Sequence, residues 1–409
     1  MTSNIKSKPI VDSLWFFLLA VYTATGYFAQ DMILPASINS LTLYVFLGYS
    51  LFAVLCYGKI KLTTIIGWEA ICLAFSFVAM LYSPAFSIFD GTYYSLIVNF
   101  ILVFILMQMP WNEERFEMIL KTYVVSSGAL IVILAATGKL EDSSDTGRLG
   151  QDLVGNANIF AVMLMVSAIY AIWLLVSSRK KSTKFFSLAF LIIIYIGMFL
   201  SGGRKYIIVP VVFLYILLVN KTDKKGRKHL LLYTFLIVAI LFLLYQIIMN
   251  VEFFYDSIGN RFEDFFSLFD GGSDVDGSTI KRQKMIEAAW KTWPERPLFG
   301  HGFDSFKFYN AESVLGKMVY SHNNFVELLY NEGLVGFVVY YSFYAYLLYK
   351  AFKIKGQTLY KGFVIGVIIS WLFFEYFGIT YNTTPTQIML FLSFYILKKV
   401  SLGENETIK

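Results

Sequence analysis

Residues 157–178 read ANIFAVMLMVSAIYAIWLLVSS, and Arg179, Lys180 and Lys181 follow at once. The run carries no formal charge, and at about 1.5 Å per residue a helix of this length crosses the roughly 30 Å hydrocarbon core of a bilayer. It shows no apolar–polar alternation, so it reads as a helix and not as a barrel strand. The basic cluster at its end marks a cytoplasmic side. Similar runs lie near 12–30, 41–58, 63–82, 93–109, 118–137, 185–200, 206–220, 230–250, 333–349, 362–380 and 385–399. The expectation is therefore an all-α polytopic membrane protein with about 12 transmembrane helices. Composition agrees: of 409 residues 57% are hydrophobic, 18% aromatic and 15% charged, where a soluble domain carries roughly 25% charge. Mean hydropathy is +0.62. Two or three soluble domains are excluded.

The net charge of +6 comes from short basic runs between apolar stretches, which set topology and touch anionic lipid; nucleic acid is not an expected partner. Cys56 and Cys72 lie inside apolar segments and suggest neither a disulfide framework nor a metal site. Lys6 and Lys8 precede an apolar run too long for a signal-peptide core, so the first span is read as uncleaved. With both termini cytoplasmic, 22 of the 34 basic residues fall in inner segments and four in short outer connections. The other eight lie in one long outer loop, about 251–322, and long loops are translocated largely regardless of charge. The division read from topology is nine helices over 1–250, a large extracytoplasmic loop with its motif over 251–332, and three helices with a cytoplasmic tail over 333–409. Within the loop, 280–293 (IKRQKMIEAAWKTW) is rich in helix formers.

The candidates for chemistry are few. His229 lies in a basic cytoplasmic loop, and His301 in an outward turn, Pro297-Leu298-Phe299-Gly300-His301-Gly302. His322 opens SHNNFVELLYNEGLVG over 321–336. From Asn323 to Glu332 this reads as an amphipathic helix with Ser321 as its N-cap and with Asn323, Glu327, Tyr330 and Asn331 on its polar face. Gly333 and Gly336 begin the next span and permit close backbone approach. A histidine at a helix N-terminus is disfavoured as imidazolium, and a neutral ring can act as a general base. The alternative is an interfacial hydrogen-bonding histidine. Asp274-Val275-Asp276 imitates a nucleotide-sugar motif but faces away from cytoplasmic nucleotide sugars, and Asp270, Asp274 and Asp276 lack the closing glutamate of a calcium loop. Glu69 and Glu375, inside predicted spans, keep a transport reading open.

The spacing from His322-Asn323 to Gly333-x-x-Gly336 resembles the signature of the O-antigen ligase and O-antigen (capsular) polysaccharide polymerase superfamily. So do Gly300-x-Gly302 upstream of it, Ser201-Gly202-Gly203-Arg204 at an outward hairpin, Arg148-Leu149-Gly150 with Gly155-Asn156-Ala157-Asn158, and Arg282 with Trp290. The resemblance covers about 148–350; the chain departs at Ala157, where the family usually has proline, and at Lys205, often a small residue there. Because the family tolerates many residues between the glycines of the Gly300–Gly302 turn, the resemblance implies only a small effect of substituting His301.

The resemblance implies a GT-C-like, inverting, metal-independent glycosyltransferase without a cofactor, in the bacterial inner membrane. Its donor would be a glycan on undecaprenyl pyrophosphate at the outer face. His322, Arg204 and Arg282 would be catalytic; Arg148, Asn323, Glu327, Lys205 and Arg261 would contact substrate; Gly300, Gly302, Gly333 and Gly336 would shape the motif. Arginine suits a pyrophosphate leaving group because its planar fork donates two hydrogen bonds at once. Implied partners are membrane lipid, a chain-length-regulating co-polymerase and a flippase. Polymerase, ligase and, in a different class, a flippase or exporter of lipid-linked sugars remain the alternatives. A transporter should show paired halves around a midplane site, whereas here the polar residues gather in one outer loop.

Overall fold

The computed structural model describes residues 8–28, 33–84, 86–88, 91–140, 148–151, 156–221, 227–255, 259, 277–311, 316–355 and 359–401. Its long helices are α1 (Pro9–Phe28), α2 (Ala36–Tyr57), α3 (Thr64–Met80), α4 (Gly91–Gln108), α5 (Glu113–Ala136), α6 (Ala157–Ser177), α7 (Lys181–Leu200), α8 (Arg204–Lys221), α9 (Arg227–Asn250), α10 (Gly277–Thr292), α11 (Asn324–Lys353), α12 (Leu359–Glu375) and α13 (Thr384–Ser401). Among the described residues there is no strand. Among the described residues eight helices, α1, α2, α4, α5, α6, α7, α9 and α11, are long and apolar enough to cross a membrane. The chain is thus an all-α, multi-pass membrane protein. Shorter or more polar helices, α3, α8, α12 and α13, stand where the sequence predicts further spans.

Two compact units interleave along the chain, a division different in kind from the three consecutive segments read from topology. The first comprises 1–61, 107–215 and 230–263; the second comprises 62–106, 216–229 and 264–409.

In the first unit α5 packs on α1, α6 and α7. The close approach depends on small residues: a Cβ on Gly128 would fall 2.2 Å from the Phe190 ring, and one on Gly197 would fall 2.4 Å from Ile131. Lipid tails are as apolar as the side chains, so such fitted contact, and not burial from water, holds spanning helices together. Several polar residues inside are paired. Asp12, fully buried, receives Arg115 at 3.2 Å and the Tyr57 hydroxyl. Trp15 Nε1 donates to Ser50 at 2.8 Å, and Tyr27 and Ser167 share a hydroxyl bond of 2.7 Å. Asn112 caps α5 by accepting the Arg115 N–H at 2.8 Å, and Glu113 and Glu114 complement the dipole in its first turn.

In the second unit α11 is the organising helix, packed on α3, α10, α12 and α13. Trp68 of α3 stacks on Phe343 at 4.7 Å and donates to the Val339 carbonyl at 3.0 Å. Glu375, one of the two carboxylates that kept a transport reading open, is fully buried and takes three hydroxyl donors: Tyr341 at 2.9 Å, Tyr344 at 2.8 Å and Thr380 at 2.7 Å. Those bonds make it a structural tie between α11 and the end of α12.

Candidate active site

The loop 297–302 is spliced into α11. At Gly333 the helix breaks, with φ 69° and ψ −170°, a backbone region open essentially to glycine alone. The break removes the helical partners of four backbone groups, and the loop replaces all four. The Tyr330 and Asn331 carbonyls accept the N–H groups of His301 and Gly302, each at 2.9 Å; Leu334 and Val335 donate to the carbonyls of Pro297 and Leu298 at 2.9 and 3.0 Å. In a membrane protein such groups must find protein partners. The glycines of the motif follow from this exchange. A Cβ on Gly333 would lie 2.4 Å from the Leu298 carbonyl, one on Gly300 would lie 2.5 Å from the Asn331 carbonyl oxygen, and one on Gly302 would lie 2.8 Å from Ser83 Cα. Gly336 instead makes room for the Glu332 side chain and Phe75.

His322 sits immediately before the helix cap with φ 59°, a left-handed conformation that costs a residue with a Cβ about 1–2 kcal/mol. The turn around it is over-determined. Glu327, fully buried, accepts the Ser321 N–H at 2.8 Å; the Ser321 hydroxyl donates to the Asn323 carbonyl at 2.9 Å and accepts the Asn323 N–H at 3.2 Å. The N-cap is Asn323 and not Ser321 as predicted: its side-chain oxygen accepts the N–H groups of Phe325 and Val326 at 3.0 and 3.1 Å. Ser321 and Asn323 are buried while His322 between them is half-buried. Strain held in place by its surroundings clusters at functional sites.

The polar face of the amphipathic segment, two of whose residues the resemblance assigns to substrate contact, turns inward. Asn323, Glu327, Tyr330 and Asn331 are all buried. Asn331 accepts the Phe306 N–H at 2.9 Å and the Ser305 hydroxyl at 3.3 Å, and donates to Glu327 at 3.3 Å. The side chains of Asn323 and Glu327, assigned from the resemblance to substrate contact, are therefore engaged in shaping the His322 turn.

Arg282 is half-buried on α10, on the stripe that carries Met285 and Ala289 one and two turns further on. Those two pack with Phe306, Val326 and Tyr330, so the arginine's helix and the helix behind His322 share one cluster. His301 is not the permissive position predicted. It is 8% exposed, its ring stacks on Tyr330 at 4.4 Å, and Nε2 lies 3.2 Å from the Thr292 carbonyl. A carbonyl only accepts, so Nε2 carries the proton; burial pushes this imidazole below its usual range. Losing the stack and the hydrogen bond in His301→Ala is expected to cost about 2 kcal/mol. Thermal unfolding of the purified variant checks this, and an unchanged midpoint would mean the contacts contribute nothing.

In the first unit, Arg148 braces the hairpin that precedes Arg204. Its Nε donates to the Ser201 carbonyl at 2.9 Å and its Nη2 to Asn158 at 3.1 Å, while the Leu149 N–H donates to the Leu200 carbonyl at 2.9 Å. Ser201 caps α7, Gly202 turns with φ 68°, and a Cβ on Gly203 would strike the Tyr206 ring at 2.2 Å. Arg204 then opens α8, half-buried, and Lys205 lies 5.0 Å over the Tyr206 ring. Arg148, assigned to substrate, thus holds the turn that presents Arg204. Arg261 and the Asp270, Asp274 and Asp276 motif lie outside the described residues.

One group escaped the sequence reading. Asp304, buried with φ 60°, accepts Lys307 at 2.7 Å and Thr92 at 3.0 Å, and Thr92 is 3.2 Å from the Tyr320 hydroxyl. Its other oxygen, Oδ1, has no partner among the described residues. Nothing in its neighbourhood in sequence marks it, because Thr92 and Tyr320 join it only through folding.

Residues 188–341 match the O-antigen ligase (Wzy_C) family model. The match runs through Arg204, Arg282, His322 and all four motif glycines, and it supports the O-antigen ligase and polymerase superfamily. No curated protein matches the chain.

Proposed function

We propose that this protein is a polysaccharide polymerase of the bacterial inner membrane. It transfers glycan from undecaprenyl pyrophosphate to a lipid-linked repeat unit at the outer face, with inversion and without a metal. In this reading it spans the membrane about 12 times with both termini cytoplasmic, in a GT-C-like arrangement. The observation that carries the proposal is the Ser321–Asn323 turn, which holds His322 in a left-handed conformation by bonds from both neighbours and through Glu327.

An acceptor hydroxyl attacks the anomeric carbon from the face opposite the leaving group. The C–O bond to pyrophosphate breaks, and His322 takes the hydroxyl proton. Arg204 and Arg282 receive the charge that grows on pyrophosphate, while Lys205 and Arg261 are proposed to contact the donor. A co-polymerase and a flippase are the proposed partners.

Ligation to another acceptor is the second reading, favoured by the match to the O-antigen ligase family. The chemistry is the same and only the acceptor differs. Purified protein given one lipid-linked repeat unit separates the two: a ladder of products indicates polymerisation, whereas no elongation, with transfer to an added acceptor lipid, indicates ligation. Protein that moves lipid-linked sugar across vesicles without forming any glycosidic bond would defeat both.

Arg204→Ala and Arg282→Ala are expected to weaken donor binding as well as turnover, because pyrophosphate is charged in the ground state and the transition state alike. Lysine at either position should restore only part, since it keeps the charge and loses the fork. Steady-state kinetics over a range of donor concentrations reads both parameters; an unaltered KM would remove the arginines from the donor site.

A further inference from the structure

Among the described residues, two that carry a Cβ take a left-handed backbone: Asp304 with φ 60° and His322 with φ 59°. A chain of hydrogen bonds leads from the first towards the second, all of it within the second unit. Asp304 Oδ2 accepts Lys307 Nζ at 2.7 Å and the Thr92 hydroxyl at 3.0 Å. The Thr92 oxygen has given its proton to Asp304, so it accepts the Tyr320 hydroxyl at 3.2 Å. The Lys307 ammonium also lies 5.6 Å over the Tyr320 ring. Tyr320 stands directly before Ser321, whose N–H is held by Glu327 at 2.8 Å. The turn that carries His322 is thus gripped from two sides. On one, α11 holds Ser321 through Glu327; on the other, the start of α4 and the segment 303–307 hold Tyr320.

This second grip works against the stability of the fold. A left-handed backbone strains any residue with a Cβ. The side chains of Asp304 and Lys307 are 7% and 22% exposed, and a buried ion pair is seldom more stabilising than apolar packing. Asp304 Oδ1, buried as well, has no partner among the described residues, a further loss. Holding the fold together therefore does not account for the arrangement, and strain kept in place by its surroundings clusters at functional sites. Lys307 remains a cation: burial opposes its charge, but the Asp304 carboxylate outweighs burial and raises its pKa above the usual range.

We propose that Asp304, Lys307 and Thr92 are positioning residues for the reaction, fixing Tyr320 and through it the turn that presents His322. Asp304 turns the Thr92 hydroxyl so that a lone pair meets Tyr320, and Lys307 supplies the counter-charge that the buried carboxylate needs. The three act through His322 and not on the substrate, so the inference rests on the reading of His322 as the base.

The test is steady-state kinetics of the purified full-length protein on a lipid-linked repeat unit, beside thermal unfolding. Thr92→Val keeps the side chain's shape and loses its hydroxyl. It should lower kcat about 10- to 100-fold, the loss expected when a reacting group is misplaced by about 1 Å, with KM and the unfolding midpoint unchanged. Thr92→Ser should restore most of the rate. Adding Tyr320→Phe to Thr92→Val should slow it no further, since both remove the same bond. Asp304→Gly should also lower kcat while the midpoint holds, because glycine is unstrained there; should it not fold, the Thr92 and Tyr320 variants decide alone. Wild-type kcat in Thr92→Val, a raised KM with kcat intact, or a kcat that falls only in step with the midpoint would overturn the positioning role. His322→Asn separates this failure from that of the base. Wild-type turnover in His322→Asn defeats the base and the inference with it, whereas a slow His322→Asn beside a wild-type Thr92→Val defeats the inference alone.

Discussion

His322→Gly is expected to abolish most polymer synthesis while leaving the protein at least as stable as wild type. The two effects part because the residue serves chemistry at the expense of its backbone. With φ 59°, His322 occupies a conformation in which glycine is unstrained, so the substitution should recover about 1 kcal/mol. Removing a general base, by contrast, typically lowers turnover by about 10² to 10⁴. Donor affinity should hardly change, because a base acts in the transition state. His322→Asn provides a second form: asparagine tolerates the left-handed region but is no base. Glu327→Gln should act more weakly in the same direction, since its amide oxygen can still accept the Ser321 N–H at the 2.8 Å position. The measurements are the unfolding midpoint and single-turnover rates on a lipid-linked repeat unit. Wild-type rates in His322→Gly would dismiss the base, and a large fall in its midpoint would dismiss the strain.

Gly333→Ala is expected to be among the most damaging single substitutions in the chain. Its Cβ would sit 2.4 Å from the Leu298 carbonyl carbon and oxygen and 2.5 Å from the Phe299 nitrogen. These are backbone atoms that cannot rotate aside, and the residue's φ of 69° with ψ of −170° is strained for any side chain. The loop must move, and the four replacement hydrogen bonds of the splice go with it. A loss of about 3 kcal/mol or more follows, with activity lost as well because the loop and the His322 segment are one packed body. Gly48→Ala is the control: in α2, nothing lies within 4 Å of its added Cβ, and alanine should be neutral or stabilise by about 0.5 kcal/mol. Comparable losses at both positions would show that the splice has no special weight.

Much of this architecture was legible in the sequence because the signals are local. A run such as 157–178 specifies a spanning helix by its own length and apolarity, and α6 occupies 157–177. The helix within 280–293 is likewise local, realised as α10. The motif glycines were also visible as a pattern, and their crowding in the structure gives the pattern a cause. The roles of polar residues were less legible. A helical wheel separates the face of Asn323, Glu327, Tyr330 and Asn331 from the apolar face but does not say which face is inside; here the polar one is buried. Ser321 looked like the cap, yet His322 between it and the helix takes a left-handed turn that hands the cap to Asn323. His301 looked permissive between two glycines, and its burial depends on Tyr330 and Thr292, neither adjacent in the chain.

The sequence by itself determined an all-helical membrane protein, the places of its helices, and the residues of the His322 and Arg204 motifs. These depend on the free energy of moving consecutive residues out of water and on the short-range needs of glycine backbones, both of which can be read within a window of some twenty residues. Only the tertiary structure decided that the loop 297–302 completes the broken helix at Gly333, that Glu327 shapes the His322 turn, that Arg148 braces the Arg204 hairpin, and that Glu69 and Glu332 share a cavity. Apart from the short link between Ser321 and Glu327, these bring together polar groups that lie in separate segments. Such partners become necessary only once a neighbouring helix has removed both from water and lipid.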